Sequence, residues 1–184
     1  MSVSDEAKLS KSKFTYEHYV LFPEDGNQHE LIDGDHYMNP APVPYHQKLS
    51  RHIQFQLFAA IEVRGHGDVI DAPIDVQFSD YDVVQPDLVV VLKDNRIITT
   101  TKLKGAPDLV VEILSPSTSK RDESLKKELY ERNGVPEYWI VDPDEKVVRQ
   151  YRLADGSYAE AERCTDEVTF AGLSGVTVDL TRVW

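Results

Sequence analysis

Apolar and polar positions alternate in two distinct rhythms along this chain. Within "YHQKLSRHIQFQLFAAIEVRGHG", His46, Leu49, Ile53, Leu57, Ala60 and Ile61 recur at three- and four-residue spacings. That spacing lines one face of a helix, beginning after Pro44 and ended by Gly65 or Gly67. Elsewhere the rhythm shortens. "DVIDAPIDVQF", "PDLVVVL" (86 to 92), "PDLVVEILS" and "EYWIVDP" are rich in β-branched residues and bounded by Pro, Gly or Asp, which predicts strands. The "PDLVV" strands are almost continuously apolar, so both of their faces should be covered. A short helix is predicted in "FTYEHYVLF", and a β-hairpin in "HELIDGDHYMNPAPVP", turning at Asp33-Gly34 and closed by three prolines.

The second long helix has clear punctuation. Ser119 reads as its N-cap with Asp122 three residues on, Leu125 and Leu129 point inward, and Asn133-Gly134 with Pro136 form the stop. After "EYWIVDP" come a turn at "DPDEK", a hairpin partner "VVRQYRL" and further strand pairing. The predicted fold is α/β: a mixed central sheet flanked by helices in the order αβββαβ, with an N-terminal hairpin and C-terminal β additions. Residues 1–13 read as a flexible tail and 14–184 as one domain, in keeping with 184 residues of which 41% are hydrophobic.

Composition narrows the setting. One cysteine, Cys164, forms no internal disulfide, the first residues lack a signal-peptide core, and no run approaches a membrane span. A soluble cytoplasmic protein without membrane partners is expected. The net charge of −12 argues against nonspecific polyanion binding. However, Lys93 to Arg132 holds nine Lys or Arg against seven Asp or Glu, making that window +2 and the remainder −14.

Glu112 is the anomaly inside this window. The two "PDLVV" strands share an order, yet the second carries Glu112 where the first has Val91. A carboxylate in a covered strand must be protonated, paired with a cation or bound to a metal. Strand alternation sets Asp108, Val110, Glu112 and Leu114 on one face, but Asp108 lies about 13 Å from Glu112, too far to share an ion. Asp87, heading the sister strand, is the better companion, and two such carboxylates suit Mg²⁺ or Mn²⁺. The alternative for Glu112 is a buried ion pair; for Asp87 and Asp108 it is a turn cap.

On the second helix, Asp122, Lys126 and Tyr130 form a stripe beside Leu125 and Leu129. Lys126 could orient or deprotonate a water near a bound metal, or be an exposed lysine paired along its own helix. Asp122 reads more simply as a capping residue. Glu30 is either a site residue or a surface strand position, and His46 either a ligand or a core histidine. Nothing matches a zinc spacing, a phosphate-binding loop or a hydrolase elbow.

Taken together, "ELIDG", His46, "PDLVVVL", "PDLVVEILSPST" and "D…K…Y…NGVPEYWIVDP" resemble the bacterial family of putative restriction endonucleases within the PD-(D/E)XK nuclease superfamily. The resemblance runs from about Phe14 to Trp184. It implies a divalent-metal nuclease acting on DNA, with Asp87, Glu112 and the Ile113 carbonyl holding Mg²⁺ (or Mn²⁺) and a lysine assisting water attack. The superfamily places that lysine two residues after the glutamate, where this chain has Leu114. Lys126 fits the family's own "D…K…Y" signature instead, with Glu30, His46, Asp122 and Tyr130 in support. Glu62, the helix-borne alternative to Glu30, sits at the far end of its helix. A homodimer would supply two sites for cutting both strands. Two other readings stay open: a nuclease fold that binds nucleic acid or protein without turnover, and a phosphoesterase for RNA or nucleotides.

Overall fold

A computed structural model describes residues 13–115 and 122–184. Residues 1–12 of the expected tail (1–13) and the Ser119 cap lie outside the described residues, as does the side chain of Asp122. Among the described residues, no helix is long and apolar enough to cross a membrane.

The chain opens with a single helical turn, α1 (Tyr16–Tyr19), and a hairpin of β1 (Gln28–Ile32) and β2 (Asp35–Asn39). Asp33 and Gly34 both adopt positive φ, 53° and 73°, the two-residue turn whose twist matches a hairpin. That turn fixes the register, pairing Gln28 with Asn39 and Glu30 with Tyr37. Helix α2 (Pro44–Ala60) follows, with proline at a first-turn position where its missing N–H costs nothing. Leu49, Ile53, Leu57 and Ile61 are buried along one stripe, as the periodicity predicts.

The larger sheet holds β3 (Gly67–Asp71), β6 (Leu88–Leu92), β8 (Leu109–Ile113), β9 (Glu137–Asp142), β10 (Val147–Ala154), β11 (Ser157–Tyr158) and β12 (Glu162–Cys164). Its order is β11-β10-β9-β8-β6-β3, with β12 also on β10. β8 and β9 run parallel, joined through a helical crossover, and the remaining pairs are antiparallel. A smaller sheet takes the order β2-β1-β5-β4-β7 by adding β4 (Val76–Gln77), β5 (Val83–Val84) and β7 (Leu103–Lys104) to the hairpin.

Alternation along β8 builds two cores from one strand. Leu109, Val111 and Ile113 join the stripe of α2 and the C-terminal hairpin, β13 (Glu167–Thr169) and β14 (Thr177–Asp179). Val110 faces the smaller sheet and the second helix, among Val89, Ile140, Leu129 and Tyr130. The large sheet is thus covered on both sides. One cover is helix α2 together with the C-terminal hairpin, while the other is mainly a second sheet.

The second helical segment begins as a π-turn, Asp122–Lys126, and continues as α3 (Lys127–Arg132). Its end follows the sequence signal closely. Gly134 takes φ 75°, the Gly134 N–H donates to the Glu131 carbonyl and the Val135 N–H to the Tyr130 carbonyl, the double bond of a Schellman stop. The π-turn was not legible in the sequence. Such turns cluster at functional sites, and this one carries Lys126.

Candidate active site

Lys126 is 2% exposed, so the reading of a solvent-facing lysine fails. Its Nζ lies 2.9 Å from Glu112 Oε1 and 2.9 Å from Glu30 Oε1. Glu112 arrives from the large sheet and Glu30 from the small one; Lys126 joins them from the π-turn between. Glu30 is fully buried rather than a surface strand residue. Asn39 Nδ2 donates to its Oε2 at 3.0 Å, and the Gln85 backbone N–H to its Oε1 at 2.9 Å. Tyr130 donates to Glu112 Oε1 at 2.7 Å, so its support reaches Lys126 through the shared carboxylate. Burial and the neighbouring Glu112 push the Tyr130 phenol well above its ordinary pKa, which keeps it a donor.

Asp87 stands one residue before β6, where the pairing of Leu88 with Val111 brings it level with Glu112. Its Oδ2 accepts the Ile113 N–H at 2.8 Å, ending the ladder with a side chain where Pro86 precedes the strand. His46, at the head of α2, places Nε2 3.2 Å from Asp87 Oδ2 and 3.2 Å from the Ile113 carbonyl. Both neighbours are acceptors, so Nε2 carries the hydrogen. His46 is therefore part of this cluster and not simply a core residue.

These groups surround one cavity of about 200 Å³, walled by His46, Asp87, Glu112, Ile113 and Lys126 on one side. The turn Pro40-Ala41-Pro42-Val43 forms the other lip. Glu30, Asp87 and Glu112 set three carboxylates against the single ammonium of Lys126, a formal charge of −2 over these four groups. Among the described residues, no three His, Cys, Asp or Glu side chains form a preformed cage. The donor set nevertheless fits a hard cation. Asp87, Glu112 and Ile113 line one cavity, and Mg²⁺ commonly takes one or two carboxylates and keeps several waters.

Other candidates fall elsewhere. Asp108 Oδ2 accepts from the Leu92 N–H at 2.8 Å and Asn95 Nδ2 at 3.0 Å, capping the turn after β6. Glu62 accepts from the Val69 N–H at 3.0 Å and tethers β3. Burial pushes the Cys164 thiol up, away from nucleophile chemistry. Sequence reasoning missed Asn39 and Gln85. Asn39 had a signal, since the Asp33-Gly34 turn alone sets it on the same face as Glu30. Gln85 acts through its backbone N–H, which carries no residue signature.

Residues 16–181 match the family model Uma2, whose description is "putative restriction endonuclease". A crystal structure of a putative nuclease belonging to DUF820 from Anabaena variabilis superposes with a TM-score of 0.78 at 22% identity. The match covers 92% of this chain and 97% of that one, and establishes a shared fold. The type IIG restriction endonuclease BpuSI aligns at a TM-score of 0.37 and 12% identity, over 60% of this chain and 12% of its own length. No curated protein matches the chain. With the match running over almost all of the chain, the protein belongs to the Uma2 family of putative restriction endonucleases.

Proposed function

We propose that this protein is a divalent-metal-dependent nuclease that hydrolyses phosphodiester bonds of DNA, with the cavity at Asp87, Glu112 and Lys126 as its active site. The observation that carries the reading is Lys126, buried between two carboxylates at 2.9 Å and opening on the cavity that Asp87 also lines. Burying three such charges is costly, and groups held in spite of that cost cluster at functional sites.

Asp87, Glu112 and the Ile113 carbonyl would hold Mg²⁺ or Mn²⁺. When bound, the cation supplies Lewis acidity toward a phosphoryl oxygen and raises the acidity of coordinated water. The chain's own residues do the rest. Lys126 Nζ faces two carboxylate oxygens, which only accept, so in this pairing it acts as a donor and not as a base. It fixes the pose of Glu112, orients the attacking water by hydrogen bonding and offsets charge on the pentavalent phosphorus. Tyr130 and Glu30 hold that geometry from opposite sides. His46 keeps the Asp87 carboxylate and the Ile113 carbonyl turned toward one point. The lysine missing at Leu114 is thereby replaced from a different element, reaching the same glutamate from the helical crossover.

The test is cleavage of plasmid DNA with Mg²⁺ or Mn²⁺, comparing the wild type with Glu112→Gln. The substitution keeps volume and removes one ligand charge, so activity should fall at least about a hundredfold, while thermal melting stays cooperative. Equal cleavage by the two proteins would overturn the assignment.

A further inference from the structure

Gln85 is also a wall of this cavity and of the adjoining one that extends past Asp71 and Pro73. Its side-chain amide is oriented by two oxygens. Nε2 lies 2.8 Å from Asp75 Oδ1 and 3.1 Å from the Tyr19 hydroxyl, and Tyr19 itself donates to Asp75 Oδ1 at 2.7 Å. A carboxylate only accepts, so the nitrogen of Gln85 must face Asp75 and cannot be exchanged with its carbonyl. Tyr19 stays protonated, because burial and the hydrogen bond to Asp75 push its phenol upward, and its oxygen is left to accept from Gln85. Both amide hydrogens are thereby engaged. The carbonyl Oε1 accepts no hydrogen bond among the described residues, and it is not buried.

The backbone N–H of the same residue holds Glu30, the partner of Lys126. Gln85 is therefore anchored at both ends, by its backbone to the catalytic lysine's partner and by its side chain to α1 and Asp75. A fixed acceptor beside Asp87, with no donor of its own to offer, selects for groups that can donate.

We propose that Gln85 is a specificity-determining residue whose side-chain carbonyl accepts a hydrogen bond from the nucleotide next to the scissile phosphate. This rests on the nuclease reading above and sharpens its substrate class: nucleotides presenting a donor, either a base amino group or a ribose 2′-hydroxyl. A water-open acceptor discriminates modestly, by roughly fivefold to tenfold, since the lost bond competes with solvent.

The experiment measures binding and cleavage of labelled single-stranded oligonucleotides by the full chain with Mg²⁺ or Mn²⁺. Oligo(dA) is compared with the same oligomer of purine lacking the 6-amino group, and with oligo(A), which adds the 2′-hydroxyl. The wild type should favour the donor-bearing strands by that factor, the base comparison and the sugar comparison showing which donor is read. Gln85→Met should bind all three alike. Asp75→Asn, outside the cavity, should weaken the preference, because an amide there can donate as well as accept and so lets the amide of Gln85 turn, and it decides the question if Gln85→Met fails to fold. An equal response of the wild type to all strands overturns the inference, even where cleavage shows the nuclease reading to stand. So does a preference that survives in Gln85→Met, or in full in Asp75→Asn. A preference without cleavage of any strand keeps the assignment of Gln85 and removes the nuclease reading. Absence of binding removes both.

Discussion

At the scale of single residues, the site is a problem in buried charge. Lys126, Glu112 and Glu30 are 2%, 4% and 0% exposed, so each depends on the others for compensation. Removing the cation from such a group leaves two carboxylates facing each other in the interior, which typically costs about 3 to 5 kcal/mol. Lys126→Met should accordingly lower stability by that amount in urea unfolding. The triple change Glu30→Gln, Lys126→Met, Glu112→Gln removes the charge with little change in volume and should recover most of the loss. A single Lys126→Met that melts like the wild type would show that the lysine is not compensating the pair. The sequence revealed this site to different depths. Glu112 was legible because a charge in an apolar strand is anomalous wherever the strand lies. Glu30 was ambiguous, because a five-residue strand reads the same at a surface and beneath a second sheet. Gln85 was invisible because its contact to Glu30 is made by backbone, and Tyr130 was assigned to Lys126 when its hydroxyl reaches Glu112.

At the scale of elements, local signals succeeded where local geometry decides the outcome. The Asp33-Gly34 turn, the apolar stripe of α2 and the Gly134 stop are each settled by a few adjacent residues, and all three are present. The cover on the second face of the large sheet was not legible, since β4, β5 and β7 are two-residue strands held by pairing rather than by pattern. The π-turn at Lys126 escaped for the same reason: its residues suit an ordinary helix, and the extra residue in the turn is imposed by what they pack against. One strand pairing yields a sharp test. A Cβ on Gly67 would lie 2.4 Å from the Val91 carbonyl oxygen and 2.8 Å from Leu92 Cα, contacts that only a backbone shift between β3 and β6 can relieve. Gly65, two residues earlier, has open space around it but a φ of 70°. Gly67→Ala should cost at least about 2 kcal/mol, through the strand pair. Gly65→Ala should cost about 1 kcal/mol, from backbone conformation alone. Urea midpoints for the two variants measure the difference, and equal losses would show that β3 yields without penalty.

Across the whole molecule, charge and architecture bear on the same question. The chain carries a net −12, so cations of any kind relieve self-repulsion and raise stability without occupying a site. A metal site must therefore be detected above that background. The cavity lies where the large sheet, the small sheet and the π-turn meet, lined by Asp87 and Glu112 from one layer, with Lys126 joining Glu112 to Glu30 of the other. A divalent ion bound there stabilises only the folded chain, because unfolding separates its ligands, and at a hundredfold excess over Kd the linkage is worth about 2.7 kcal/mol. For a chain of this length that corresponds to a rise in Tm of roughly 5 to 10 °C. The comparison is Mg²⁺ or Mn²⁺ against sodium chloride of matched ionic strength, so that screening cancels. The wild type should gain the full increment in the divalent salt, whereas Glu112→Gln and Asp87→Asn should melt alike in both salts. If the variants gain as much as the wild type, the cation acts on the acidic surface at large and not at Asp87 and Glu112.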